Sequence, residues 1–319
     1  MSSSRTDPPP SAADRGLPVG DRATAVDVLV IGEALVDIAS IAGTSTEMPG
    51  GGPANVALGL GRRGIDVALL TNLGRDPRGS LITRHLERSA VWVLAESFVD
   101  HPTSTAHAEI TADGSARYDF DVHWTGSALE LRVRPRSIHT GSVAAFLAPG
   151  DASVLEQIER LAAEIVTFDP NIRPALIGAP DRARSRFEDF ARRATVVKLS
   201  DEDAAYLYPD RGVREVLDEI TRLGARLVAL TRGSQGAALT ADGHFVEVPA
   251  TRVDVVDTIG AGDTFMASLI ADYPAIHPSA ISAEDLFALG ANAVQAAAIT
   301  VTRPGADLPW LTELAAEPG

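Results

Sequence analysis

The chain has 319 residues, 45% of them apolar, which is enough for a sizeable core in one large α/β domain or two smaller ones. Its formal net charge of -15 argues against nucleic acid or an anionic membrane as partner, although local backbone donors can still gather a small anion. Cysteine is absent, which removes disulfides, thiolate metal sites and cysteine nucleophiles together.

In chain order, residues 1–24 are rich in Ser, Pro and Asp, lack the apolar core of a signal peptide and read as a disordered tail. No apolar run is long enough to span a bilayer, so a soluble cytoplasmic protein is expected. "VDVLVIG" (Val26 to Gly32) is an apolar run suited to a strand buried on both faces, and Asp37 follows it. The stretch from Val36 to Met48 looks extended. "GGGPANVA" (Gly50 to Ala57) then gives a flexible approach to a helix that starts near Pro53, with Asn55 in its first turn. Within that helix "GLGRRG" (Gly59 to Gly64) matches G-x-G-x-x-G, but it closes a helix instead of opening one, so a nicotinamide site is rejected.

"VALLTNLG" (Val67 to Gly74) and "EIVTFDP" (Glu164 to Pro170) are further buried strands, and "ATVVKLS" and "RLVALTRG" follow, each separated by a helical segment. Strands alternating with helices predict a mostly parallel sheet with right-handed crossovers. Between them, "STAHAEITADGSARYDFDVHW" (Ser104 to Trp124) alternates about Asp113-Gly114, a strong hairpin signal. With residues 36–50 it predicts a small antiparallel sheet set apart as a lid, contributed by about 36–50 and 101–125. An edge hairpin of the main sheet is the alternative.

"DTIGAGDTF" (Asp257 to Phe265) opens a helix on which Phe265, Met266, Leu269 and Ile270 recur at helical spacing, with Pro274 expected to stop it. Free N–H groups and a partial positive charge mark the start of a helix, and Gly260, Ala261 and Gly262 leave room for an anion there. Asp263 then stands beside that anion. A helix cap alone accounts for an Asp in this place, so the remaining polar segments decide. Lys198 is the only lysine, and no Walker loop, G-x-S-x-G elbow or H-E-x-x-H is present. What remains is a set of polar residues at strand ends: Asp37, "DPNIR" (Asp169 to Arg173), "KLSDED" (Lys198 to Asp203) and "TRGSQG" (Thr231 to Gly236). In open α/β sheets, ligands bind beyond the carboxyl ends of the strands.

From Val26 onward the chain resembles the ribokinase-like (PfkB) carbohydrate kinases, and within them the fructokinases and 2-keto-3-deoxygluconate kinases. "GGGPANVALGLGRRG" is similar to the family's N-terminal signature, "GRDPRGSLITRHLERSAV" to its G-x-D-x-x-G helix, and "DTIGAGDTFMASL" to its highly specific C-terminal signature. The resemblance implies a three-layer fold and an ATP- and magnesium-dependent kinase acting on a ketohexose such as fructose. It also implies an anion hole from Gly260, Ala261 and Gly262 around the transferring phosphoryl group, with Asp263 as the base. A catalytically silent sugar-binding relative is the competing reading. The helix dipole is expected to keep Asp263 ionised.

By the same resemblance Asp37, Gly51, Gly52, Asn55 and Arg173 bind the sugar. Asn171, Lys198, Thr231, Gly233, Ser234, Gly236 and Asn292 lie along the nucleotide. The family's N-x-x-E motif appears as Ser200-Asp201-Glu202-Asp203, which assigns Glu202 and Asp203 to magnesium through water. Asp257 and Thr258 match the backbone region that holds a monovalent cation such as potassium in many members, and the lid implies a homodimer.

Overall fold

A computed structural model describes residues 23–41, 44–110, 116–126, 130–276 and 279–315. The tail expected over 1–24 lies outside these except for its last two residues, and Thr24 already begins the first strand. The Asp113-Gly114 turn also lies outside the described residues.

Nine strands form the main sheet, in the spatial order His244–Val248, Ala237–Ala241, Leu227–Thr231, Val196–Ser200, Ile165–Asp169, Val133–Gly141, Thr24–Ile31, Val67–Leu70 and Val91–Val93. The last seven of these run parallel, and the first two close one edge as an antiparallel hairpin. In Thr24–Ile31, Leu29 and Ile31 belong to the apolar cluster on one side of the sheet, and Val28 and Val30 to the cluster on the other. The two-residue period of a strand therefore feeds two cores, which is why these strands read as continuous apolar runs.

The Val133–Gly141 strand sits at the centre, yet the sequence reading passed over it. Arg134, Pro135 and Arg136 make its first half look like a loop, and its buried half carries Ser137, His139 and Thr140. Those polar groups are satisfied: Thr140 donates to the Ile31 carbonyl at 2.9 Å, and His139 Nδ1 lies 2.9 Å from the Thr167 hydroxyl. Burial and the nearby Lys198 drive the His139 pKa down to about 3, so the ring is neutral.

Four strands, Leu35–Ile41, Thr44–Gly50, Thr105–Ile110 and Ala116–Asp121, form a separate small sheet. Each hairpin is antiparallel as expected, but the two meet through a parallel pairing of Val36 with Thr105 onward. The lid is thus a mixed sheet. Asp76 ties its root down: it caps the helix Pro77–Glu87 through the Gly79 amide at 2.8 Å and accepts from the Thr103 amide and hydroxyl, each at 2.8 Å. The G-x-D-x-x-G helix therefore anchors the chain where it enters the second lid hairpin.

The helix Gly52–Arg62 packs against the helix Ala261–Ile276, whose Phe265, Met266, Leu269 and Ile270 are buried as their spacing required. Pro274 does not stop that helix but lies inside its last turn. A proline there removes only a late hydrogen bond, a smaller loss than in mid-helix. Among the described residues no helix is long and apolar enough to cross a membrane.

Candidate active site

A cleft of about 1770 Å³ lies between the lid and the carboxyl ends of the parallel strands. Single small-molecule pockets run to roughly 1,000 Å³, so this one has room for two ligands. At its floor two helix N-termini meet. Asn55, in the first turn of Gly52–Arg62, donates from Nδ2 to Asp263 Oδ2 at 2.8 Å. Asp263 belongs to the first turn of Ala261–Ile276. Two sets of free N–H groups and two partial positive charges thus face the same space.

The small residues before Asp263 are required by close approaches. Gly260 has φ +80°, and a Cβ on it would meet Ala306 Cα at 2.9 Å. A Cβ on Gly262 would meet Lys198 Nζ at the same distance. The ammonium group is therefore held over the run of residues expected to receive an anion. Lys198 is anchored by Asp169, whose Oδ2 accepts from Nζ at 2.8 Å with both side chains 5% exposed. Burial pushes Asp169 up to about 6 against the pull of Lys198, and its other oxygen has no hydrogen-bond partner. Burial also works against the charge on Lys198, but Asp169, Asp203 and Asp263 together outweigh it and raise the lysine pKa.

At Asp263 burial raises the pKa against the ionising pull expected of the helix end, outweighing the Asn55 hydrogen bond and the charges of Lys198 and Arg173. The helix contributes only partial charges, whereas loss of water acts on the whole carboxylate. A carboxylate so shifted is a stronger base.

Asp37 opens onto the cleft from the first lid strand, and desolvation pushes it up to about 6 against the Arg173 guanidinium. Arg173 lies just beyond the strand Ile165–Asp169 and donates to the Ile172 carbonyl at 3.1 Å. It is the shared countercharge of Asp37, Asp263 and Glu33. Glu33 was not expected from sequence, since a Glu after a strand looks like an ordinary loop residue. It is 4% exposed and lines the cleft, and burial raises it to about 7. Ser142 and the 249–255 segment also line the cleft without having been anticipated.

Gly51, Gly52, Asn171, Thr231, Gly233, Ser234, Gly236, Thr258, Ala261, Glu202 and Asp203 all border the same cleft. Asn171 stands beside Gly52, where a Cβ would meet its Nδ2 at 2.8 Å and Asp263 Oδ1 at 3.5 Å. Its amide is thus on the Asp263 side of the cleft.

Two expected residues do not border it. Asn292 instead donates to Asp272 at 3.3 Å. On the helix Ala283–Val301 the cleft-facing residues are Val294, Ala297, Ala298 and Val301, and Asn292 points about 200° away from Val294. The adenine assignment of Asn292 is therefore corrected: this helix offers the cleft a face of small apolar side chains. Asp257 is the other. Its carboxylate accepts from Ile259 and Gly305 amides at 3.0 and 2.8 Å, which fixes the loop and leaves only backbone carbonyls for a cation.

Asp203 has a structural duty as well. One oxygen accepts from the Ile172 amide at 2.7 Å and the other from the Ser200 amide at 2.9 Å, in a capping box that starts the helix Asp201–Leu207. Among the described residues no three His, Asp or Glu side chains cluster as a metal cage. Glu202 stands beside this capping box at the cleft wall.

A parallel sheet with a four-stranded lid and an anion-ready pair of helix starts beneath it defines a ribokinase-like sugar kinase. The chain belongs to the pfkB family of carbohydrate kinases, whose profile matches residues 26–313. It is 31% identical over 257 residues to a fructokinase of Rhizobium leguminosarum bv. trifolii, covering 76% of this chain and 78% of that one. The crystal structure of a Xylella fastidiosa fructokinase with bound ATP shares the fold at a TM-score of 0.78 and 24% identity, covering 90% of this chain and 96% of the other. A sugar kinase from Pyrococcus horikoshii, PH1459, in complex with ATP matches at a TM-score of 0.74 and 26% identity, with the same coverage.

Proposed function

We propose that the protein transfers the γ-phosphate of ATP to a hydroxyl of a neutral ketohexose, fructose in the first instance. The observation that carries this is the convergence of Asp263, Asn55, Gly262 and Lys198 Nζ on one small volume. Phosphoryl transfer needs positioning and charge stabilisation more than covalent chemistry. Gly260, Ala261 and Gly262 receive the phosphoryl oxygens on backbone amides, Lys198 neutralises their charge, and Asp263 accepts the proton of the attacking hydroxyl.

Asp37, Gly51, Gly52, Asn55 and Arg173 hold the sugar. Asn171 lies between the two substrates, and Thr231, Gly233, Ser234 and Gly236 follow the nucleotide. The names of the relatives and the ATP bound in the two solved kinases support a sugar and ATP as the two substrates. A neutral sugar is favoured over a sugar acid because Glu33 and Asp37 share a single guanidinium, that of Arg173. A substrate carboxylate would compete with them for it. Magnesium, when bound with ATP, neutralises phosphate charge. Glu202, and Asp203 through its outer lone pairs, would orient the waters around it. Backbone carbonyls at Asp257 and Thr258 would hold a potassium ion. We assign the protein to the cytoplasm, where ATP is supplied, and the lid to a homodimer contact.

The experiment is a coupled ADP-release assay over a panel of ketohexoses, aldohexoses and 2-keto-3-deoxygluconate, with Asp263→Asn as control. Fructose is expected to give the highest kcat/KM, and the variant to lose on the order of 10²–10⁴ in kcat while keeping its fold. ADP release from no sugar, or near-normal turnover in Asp263→Asn, overturns the reading.

A further inference from the structure

Glu33 leaves the first strand and turns back under the lid, where it is almost wholly buried and yet lines the cleft. Its carboxylate has a defined task. Oε2 accepts from the Ala144 amide at 3.2 Å, and the Ser142 hydroxyl bonds to the same group. These two residues belong to the short helical turn Ser142–Ala145 that ends the central strand. The residue before that turn is Gly141, which brings no side chain to cap it. None could fit, because a Cβ on Gly141 would lie 1.9 Å from the Asp169 carbonyl oxygen. The free amides at the start of the turn are therefore served by a carboxylate from another loop.

Ser142 is held in an uncommon backbone conformation, with φ 52°. A residue with a Cβ stays in the left-handed region only when its surroundings over-determine it, and such residues gather at functional sites. The surroundings here are Glu33 on one side and the sugar-facing helix start on the other. A Cβ on Gly52 would stand 3.6 Å from Ser142 Cβ and 3.5 Å from Asp263 Oδ1. The turn thus forms part of the wall around the expected acceptor hydroxyl.

We propose that Glu33 is a positioning residue for the sugar. It holds Ser142 against Gly52 so that the Ser142 hydroxyl, which itself contacts the sugar, sets affinity for the acceptor. This rests on the sugar-kinase reading above. Both residues line the cleft, outside the three signature segments quoted above.

Four variants test it in the full-length chain with fructose and ATP as probes: Glu33→Gln, Glu33→Ala, Ser142→Ala and Glu33→Ala/Ser142→Ala. Glu33→Gln keeps an oxygen for the Ala144 amide and so preserves the turn. Ser142→Ala keeps the Cβ and removes only the hydroxyl. Glu33→Ala and Ser142→Ala are each expected to raise the fructose KM about tenfold, with the ATP KM unchanged. Glu33→Gln should fall between wild type and Glu33→Ala. The double variant should show no more than the larger single effect, because the two residues act through one another. A wild-type fructose KM in Ser142→Ala and Glu33→Gln, or equal rises in the fructose and ATP KM, overturns the inference. So does a lowered Tm in Glu33→Ala with unaltered fructose KM, which marks a purely structural cap. If instead the wild-type enzyme phosphorylates no sugar, it is the kinase reading that falls, and the two failures are told apart by that control.

Discussion

Replacing Lys198 with Met separates what the lysine does for the fold from what it does for the reaction. In the native protein Asp169 is buried with a folded pKa of about 6, held there against further rise by the ammonium 2.8 Å away. Both wild type and variant lose stability as pH rises from the unfolded carboxyl value, because the folded state binds the proton more tightly. In the wild type that loss ends near pH 6, where Asp169 ionises against Lys198. In the variant Asp169 has no partner, its pKa climbs further, and stability goes on falling by about 1.4 kcal/mol per pH unit. The deficit is therefore small at pH 6 and on the order of 3 kcal/mol at pH 8, in line with the cost of breaking a buried ion pair. For a chain of this size that is a Tm drop of roughly 4–6 °C. Thermal melts at the two pH values measure it. Asp169→Asn/Lys198→Met removes both charges and should recover most of the lost stability and lose the pH dependence. Turnover should not recover, since Nζ stands over Gly262 and, on the proposed mechanism, meets the phosphoryl group there. A single variant as stable as wild type at pH 8 refutes the ion-pair account. Recovered kcat in the double variant refutes the catalytic one.

Arg173→Ala should raise the sugar KM more than the ATP KM, because the guanidinium faces Asp37, Glu33 and Asp263 together; equal effects on both substrates in steady-state kinetics would move it to the nucleotide. Asp37→Asn should weaken fructose binding by calorimetry while slightly stabilising the fold above pH 6, since a carboxyl whose folded pKa is raised to about 6 penalises the folded state once ionised. A destabilised Asp37→Asn with normal fructose affinity would make that side chain structural. Asn292→Ala should leave the ATP KM unchanged, because its amide bonds to Asp272 outside the cleft; a raised ATP KM would return it to the nucleotide.

The parallel sheet was legible wherever a strand was apolar on both faces, as in Thr24–Ile31 and Leu227–Thr231. It was illegible where buried polar groups are satisfied by neighbours distant in sequence, as with Thr140 on Ile31 and His139 on Thr167. No local pattern announces such partners. No sequence expectation covers the edge hairpin Ala237–Ala241 with His244–Val248, whereas alternation marks the second lid hairpin and the first reads only as extended. Residues at strand ends and in the signature segments border the cleft, as their place in the topology requires. Glu33 and Ser142 were not legible, since each matters through the other and one of them ends the strand that was passed over. Asn292 was misassigned because family position fixed its helix but not its rotation about the helix axis.

The electrostatics of the cleft explain why an acidic chain can handle a polyanion. Glu33, Asp37 and Asp263 line it and Asp169 lies behind Lys198, and burial leads the causes that raise each of their pKa values. Of the arginines and lysine that border the cleft, Arg62, Arg173, Lys198 and Arg252, only Arg173 and Lys198 pull these pKa values down. Neither is spare: Lys198 is tied to Asp169, and Arg173 is shared among three carboxyls. On the proposed mechanism the two helix starts add to the field that meets a phosphate, because their amides carry no counterion. At Asp263 burial outweighs the Asn55 hydrogen bond, Lys198 and Arg173, and the carboxyl keeps a raised proton affinity. On the proposed mechanism that affinity is of use while a hydroxyl is being deprotonated beside it, and it costs the empty protein stability. Under that reading the carboxyl is placed for the reaction and not for the fold.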